Sequence, residues 1–231
     1  MLRIVKGAVT LVALVGVYQV AAGANGTSVP PSSPAPTMSR ALTPEEMAVQ
    51  AYNSGIAHRD RALKAEVQAA KDKKDSDRLK NDKKAREEHD KALKDFTKAA
   101  GLNPSMPQAY NGMGFSYRKL GDYAKALEHY DRALQLAPKF PDAIEYRGEA
   151  FLALNRLDDA KQAYLTLFAM DRKQAESLMT AMKDYVARKK ADPSGVDTAA
   201  LSAFESWIAE RAGLAEQTKL MAFNAHHGSW R

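Results

Sequence analysis

From Leu42 nearly to the C-terminus, apolar residues recur at spacings of three and four and never settle into alternation with polar ones. That period belongs to helices with one buried face, so the pattern predicts an all-helical chain. Two stretches carry it most clearly. "AYNGMGFSYRKLGDYAKALEHYDRALQLAP" (109–138) and "AIEYRGEAFLALNRLDDAKQAYLTLFAMDR" (143–172) repeat glycine, aromatics and alanines at an offset of 34 positions. Tyr110 corresponds to Ile144, Gly114 to Gly148, Tyr117 to Phe151, Leu120 to Leu154, Ala126 to Ala160, Tyr130 to Tyr164 and Leu136 to Met170. Gly121 corresponds to Asn155, and both residue types accept the left-handed conformation that ends a helix. The repeat defines two helix–turn–helix units, 107–140 and 141–174.

A glycine inside a helix costs about 1 kcal/mol relative to alanine. Gly114 is explained if the two helices of a unit approach closely at Gly114 and Ala126, with Tyr117 and Tyr130 filling the space on either side. Burying one such aromatic contributes about 2–3 kcal/mol, which outweighs the propensity cost. Gly112 fits no comparable place within its own unit.

A further copy, 42–106, is interrupted. Ala92, Phe96, Ala99, Leu102 and Pro104 lie 34 positions before Ala126, Tyr130, Ala133, Leu136 and Pro138, so 90–105 reads as a second helix. Its first helix is "PEEMAVQAYNSGIAHRD", with Gly55 as the close-contact glycine, Thr43 as N-cap and Glu46 three residues on. Gly55 and Ala92 are 37 apart where Gly114 and Ala126 are 12 apart, an insertion of 25 residues. The pattern extends both helices over 62–90, with Leu63, Val67 and Ala70 continuing an apolar stripe and "DSD" (75–77) as the turn. Leu79 is isolated there, so a mobile tip is expected. After the repeats, 175–215 reads as a capping helix pair. Met182 stands in the glycine place of the first helix, so its partner should pack more loosely, and Leu201, Phe204, Ile208 and Leu214 mark the second. No period is visible in 216–231, which reads as a flexible tail.

These residues resemble the tetratricopeptide repeat (TPR). The places that carry the likeness are Tyr110, Gly114, Tyr117, Ala126, Tyr130, Ala133 and Pro138. The unit 141–174 departs from the pattern with Leu167 for alanine and Arg172 for the terminal proline, which predicts a less sharply ended second helix. The resemblance implies an all-α, right-handed superhelix of helical hairpins, one of them elongated. It implies a concave face, lined by the first helices, that holds extended peptides or partner helices. The groove places it assigns are Asn111, Phe115, Arg118, Lys119 and Lys139, then Asp142, Glu145, Glu149 and Leu152, with Tyr52, Ile56 and Arg59 in the first unit. Arg118 is read as exposed. Some members clamp a C-terminal carboxylate there, but Glu145 and Glu149 stand where such a clamp wants positive or neutral donors. A ligand of mixed charge with an apolar anchor near Phe115 fits better.

The first 41 residues follow no helical-repeat pattern. "MLRIVK" is basic, "GAVTLVALVGVYQVAAG" is uncharged, and Ala22 and Ala24 have small-x-small spacing. This is the layout of a secretory leader cleaved after Ala24; an uncleaved membrane anchor is the alternative. Residues 25–41, rich in proline, serine and threonine, read as a disordered tether. An exported, periplasmic or secreted chain is expected, or else one anchored in the inner membrane and facing the periplasm.

Composition narrows the chemistry. The 231 residues contain no cysteine, which excludes disulfides, thiolate metal sites and cysteine nucleophiles. The formal charge of +6 is mild, and loss of Arg3 and Lys6 with the leader leaves +4. The run 71–91 holds nine basic and seven acidic residues with alternating signs and no aromatics. A solvated helical tip accounts for it, and stacking on bases would need rings, so no nucleic-acid partner is expected. No phosphate loop or nucleophile elbow occurs. His226 and His227 are adjacent and cannot face one site. The pairs Glu45–Glu46, Glu87–Glu88 and Asp158–Asp159 fall in helix first turns or on exposed faces. No catalytic residue, cofactor or metal is assigned. The sequence therefore reads as a protein- or peptide-binding scaffold, the alternative being a membrane-tethered assembly or structural factor.

Overall fold

Eight helices and no strand make up the described residues of the computed structural model, 40–227. The leader, nearly all of the tether and residues 228–231 lie outside them. The helices are α1 (Pro44–Lys71), α2 (Asp75–Leu102), α3 (Pro107–Leu120), α4 (Tyr123–Leu136), α5 (Pro141–Ala153), α6 (Leu157–Met170), α7 (Arg172–Ala191) and α8 (Thr198–His227). Consecutive helices pair as hairpins. The first helices α1, α3, α5 and α7 pack successively on one another, and each second helix also contacts the first helix of the next hairpin.

Local signals place the boundaries. Thr43 caps α1 by accepting from the Glu46 amide (3.2 Å), while the Thr43 amide donates to the Glu46 carboxylate (2.8 Å). Pro107 and Pro141 open α3 and α5, where a missing N–H costs nothing. Gly121 (φ 91°) and Asn155 (φ 58°) both take the left-handed conformation that the repeat alignment predicts. The Asn155 side chain also donates to the Gly195 carbonyl (2.7 Å) and accepts from the Tyr185 hydroxyl (2.8 Å), tying the turn after α5 to α7 and to the loop that follows it.

The glycines answer to rings. A Cβ on Gly114 would stand 2.6 Å from the Tyr130 ring, so it is Tyr130, more than Ala126, that occupies the missing side chain's place. Phe96 is fully buried between two glycines: Cβ atoms at Gly55 and Gly112 would meet its ring at 2.6 and 2.8 Å. Gly112 thus serves the neighbouring hairpin, which is why its own unit offers no reason for it. At Gly148 a Cβ would meet Leu178 at 2.7 Å and Ala163 at 3.3 Å. Gly148→Leu is expected to overpack this contact and cost about 1–3 kcal/mol; an unshifted melting temperature would break the repeat register.

Several expectations are corrected. The hairpin turn lies at 72–74, and Asp75 and Asp77 form the first turn of α2. The helices α1 and α2 have 28 residues each against 14 in α3 and α4, so they project about 21 Å further. The hairpin seam consists of Ala62, Ala65, Ala69 and Ala85, displaced by one or two positions from the anticipated Leu63–Val67–Ala70 stripe, because small residues let the two helices close. Helix α6 ends sharply without a proline. Asp171 is its C-cap and at once the N-cap of α7, accepting from the Gln174 amide (3.1 Å). Helix α8 runs to His227, so 216–227 is helical rather than a loose tail: after Gly213 the sequence contains neither glycine nor proline up to that point. Leu201, Phe204 and Ile208 enter the core as anticipated, but Leu214 is exposed. Glu88 does not lie on an exposed face. It is buried in the hairpin, where Lys91 and then His58 hold its carboxyl down at about 2.

Candidate functional site

Concavity follows from the packing. First helices that contact one another directly, with second helices wedged behind them, put α1, α3, α5 and α7 on the inner side of the bend. The floor of this face centres on Phe115 of α3. Its ring meets Tyr146 of α5 edge-on (centroids 5.2 Å apart) and His89 of α2 (6.0 Å). Three cations lie about it: Arg118 at 5.2 Å, and Arg59 and Lys119 each at 5.9 Å.

These cations have carboxylate partners. Arg118 bonds Glu149 across the α3–α5 boundary, approaches the Tyr130 hydroxyl (3.4 Å) and lies over the Tyr146 ring (5.3 Å). Its side chain is only 12% exposed. Burial opposes its charge, but Glu149 and Tyr130 more than offset this and raise its pKa above the ordinary arginine value. Lys119 bonds Glu66 of the long hairpin (2.6 Å), and the same carboxylate bonds His89 Nε2 (2.8 Å). Burial works against the Glu66 carboxylate, yet these two bonds bring it below the usual range. A hollow of about 360 Å³ opens beside this pair, with Leu79, Asp82 and Arg86 on its α2 side. Arg59 bonds the adjacent Asp60 (3.1 Å).

The opposite wall is acidic. Asp142, Glu145 and Glu149 lie at spacings of three and four along α5 and so share one face. Asp142 accepts from the Gln174 amide of α7. Burial pushes Asp142 up, and it pushes Tyr146 up to about 12. Glu145 is 7% exposed. Burial first, then the like charges of Glu149 and Asp142, push its carboxyl up to about 8, although the Ser177 hydroxyl donates to it and Arg118 attracts it. In the unfolded chain it ionises near 4.5, so between these values the folded state holds the extra proton. The stability Glu145 contributes is complete below that range and lost as pH rises through about 8. Denaturant melts at pH 5 and pH 8.5 should show this loss, and Glu145→Gln should shrink it.

The residues assigned to the groove lie on α1, α3 and α5 or in the turn before α5, and several are less exposed than expected. Phe115, Glu145 and Leu152 are buried, Leu152 within the main core, because α5 and α7 close over that end. Arg118 is an interior ion-pair member rather than an exposed contact. Lys119 and Glu149 are partly exposed and paired. Lys139 stands exposed in the turn before α5. Tyr52 and Ile56 pack on the cluster around Phe96. Asn111 is partly buried, and its Oδ1 is shielded with no donor. Residues the sequence did not single out are Tyr146, Gln174, Ser177, Glu66 and His89. The last two belong to the insertion, where no repeat register exists to assign a face.

The family model of the tetratricopeptide repeat matches residues 107–140. No curated protein matches. Among solved structures, the first TPR domain of human RPAP3 is similar at 20% identity, covering 64% of this chain and 98% of that one, with a TM-score of 0.46. The first TPR of Spaghetti (RPAP3), bound to the HSP90 peptide SRMEEVD, is similar at 22% identity over 55% and 94% of the two chains (TM-score 0.39). A tetratricopeptide repeat protein from Parabacteroides merdae is similar at 19% identity over 80% and 79% (TM-score 0.37).

Proposed function

We propose that this chain, an all-α protein built on the tetratricopeptide repeat, is a protein-binding scaffold that holds a peptide or partner helix against the concave face of α1, α3, α5 and α7. The supporting observation is the floor around Phe115. Aromatic, cationic and acidic side chains from α1, α3 and α5 converge there, and Arg59, Lys119 and Glu149 keep part of their surface open. Peptide sites commonly combine an apolar anchor with a few placed polar groups. Among the described residues no group of three or more histidine, aspartate or glutamate side chains is arranged to hold a metal ion.

The test is crosslinking in the native host, with a photoreactive residue at Arg59 or Lys139 of the full-length chain and mass spectrometry of the products. One dominant partner captured at these positions supports the scaffold reading. Capture only from positions in 71–91, or only of the chain itself, would move the function to the long hairpin or to self-assembly. Export is part of the same reading, carried by the basic, apolar and small-residue order of 1–24. A mature mass starting at Asn25 in soluble fractions supports it, whereas an intact N-terminus in membranes supports the tethered alternative. No helix among the described residues is long and apolar enough to span a bilayer.

A further inference from the structure

We propose that the outer arm, residues 71–86 at the far end of α1 and the start of α2, is a docking surface for the anionic face of a lipid bilayer. This surface is separate from the groove, and the inference does not rest on the peptide reading.

The structure separates charges that the sequence mixes. Over 71–91 basic and acidic residues nearly balance, but three of the acids stand at the inner end of that run. Glu88 is buried with Lys91 (2.6 Å) and His58 (2.7 Å), and Glu87 and Asp90 flank it along α2. The outer part, 71–86, holds eight lysines and arginines against four aspartates, a net charge of +4. The rest of the helical array has no such excess. Residues 42–70 hold three basic and four acidic residues, and 87–231 hold twenty of each. The positive excess of 42–231 therefore lies wholly on an arm that stands about 21 Å beyond the neighbouring hairpin.

Most of the cations on the arm are unpaired. Arg78 bonds Asp75 (2.7 Å) and Lys83 reaches Glu87 at 4.0 Å. Among the described residues, Lys71, Lys73, Lys74, Lys80, Lys84 and Arg86 form no ion pair, and all six are exposed. Of the acids, Asp72 is occupied by Gln68 (2.8 Å) and Asn81 (2.7 Å), while Asp77 and Asp82 are exposed.

Leu79 selects among polyanions. It is 65% exposed, and it shares one side of α2 with Lys83 and Arg86, four and seven positions on, while Ala85 packs in the seam with α1. A headgroup layer takes both kinds of side chain. Lysines sit among its phosphates, and their apolar stems and Leu79 enter the region beneath. Nucleic-acid phosphates would attract the same lysines but gain nothing from the leucine, and 71–86 has no ring to stack on bases. Clusters of about four to eight basic residues on a helix are what anionic lipid surfaces attract.

The experiment uses the full-length chain. Because it has no cysteine, one introduced thiol carries an environment-sensitive dye: Ser76→Cys on the arm or, in a second preparation, Ser202→Cys on α8. Vesicles of phosphatidylcholine with about 30% phosphatidylglycerol should shift the arm dye to the blue, with an apparent lipid affinity at least about tenfold above that for pure phosphatidylcholine. The dye on α8 should not shift, which separates arm contact from any insertion of residues 7–23. Raising salt from about 0.05 to about 0.3 M should weaken the arm signal at least about fivefold. Lys80→Glu/Lys83→Glu/Lys84→Glu should abolish it with the melting temperature unchanged, since all three side chains are exposed. Leu79→Ser should weaken it about threefold. An arm dye that ignores anionic vesicles, responds equally to neutral ones, or is indifferent to the charge reversal overturns the inference, as does an equal shift of both dyes. Displacement from vesicles by duplex DNA with unchanged affinity in Leu79→Ser also overturns it, because the arm would then be a general polyanion surface.

Discussion

Phe96→Ala should lower the stability of the chain by about 3–5 kcal/mol, near the upper end for loss of a buried ring. The reason is what lies on either side. Most truncated rings leave a cavity into which neighbouring side chains can lean. Phe96 lies between Gly55 of α1 and Gly112 of α3, neither of which has a side chain to move. Equilibrium urea unfolding of the variant measures the loss directly. A companion variant isolates the cause. In the parent, a Cβ at position 112 would lie 2.8 Å from the ring, so Gly112→Ala should destabilise despite its better helix propensity. In the Phe96→Ala background the same change should become neutral or stabilising. The two substitutions must then couple; strict additivity would mean that the ring does not occupy the glycine slot.

Arg118→Glu is the second large effect. The repeat register alone suggests a surface residue that can be reversed in charge at little cost. The structure reverses that expectation. Arg118 lies beside both the Phe115 and Tyr146 rings, with Glu149 and Tyr130 as partners. Reversal leaves Glu149 without its cation and adds a further acid beside Glu145 and Asp142. Breaking a buried pair of this kind costs about 3–5 kcal/mol. Thermal melts of Arg118→Glu and of the swapped pair Arg118→Glu/Glu149→Arg provide the check. The single variant should lose much stability and the swap should regain part of it. An unaffected single variant would mean that Arg118 is solvated after all. A loss of partner binding in Arg118→Glu says little about contact, which is why the binding tests above use other positions.

What could be read from the sequence, and what could not, divides along physical lines. The repeat was legible because glycine at 114 and 148 and aromatics at 117 and 151 and at 130 and 164 recur at an offset of 34 residues, even though the glycines meet different neighbours, Tyr130 at Gly114 and Leu178 with Ala163 at Gly148. The left-handed ends at Gly121 and Asn155 were legible for the same reason. Gly112 was not, because its partner Phe96 lies in another hairpin and only the fold brings them together. Burial at Glu145, Arg118 and Leu152 was also hidden. Whether a first-helix position stays open depends on how closely the next first helix approaches, and here α5 and α7 close that end. Asp171 shows the converse: the consensus proline is absent, and a single side chain that caps the following helix does its work. In the insertion no register exists, so the buried alanines, Glu88 and His89 could be found only from coordinates.

The alanine seam of the long hairpin has a thermodynamic consequence. Beyond the ordinary repeat length, α1 and α2 are held chiefly by four methyl groups, at Ala62, Ala65, Ala69 and Ala85. At about 0.8 kcal/mol per buried carbon these contribute on the order of 3 kcal/mol. Lysine and aspartate dominate the tip, and Leu79 there is 65% exposed. Further in, Glu66 is bonded to both His89 and Lys119, which makes a clasp about one turn below Ala69. Opening should therefore start at the turn and stop at the clasp. Backbone amides of 67–85 would exchange with solvent through local unfolding, while those of α3 to α6 wait for the whole repeat array to open. The hairpin is an arm whose outer part can melt and reform without disturbing the groove at its base.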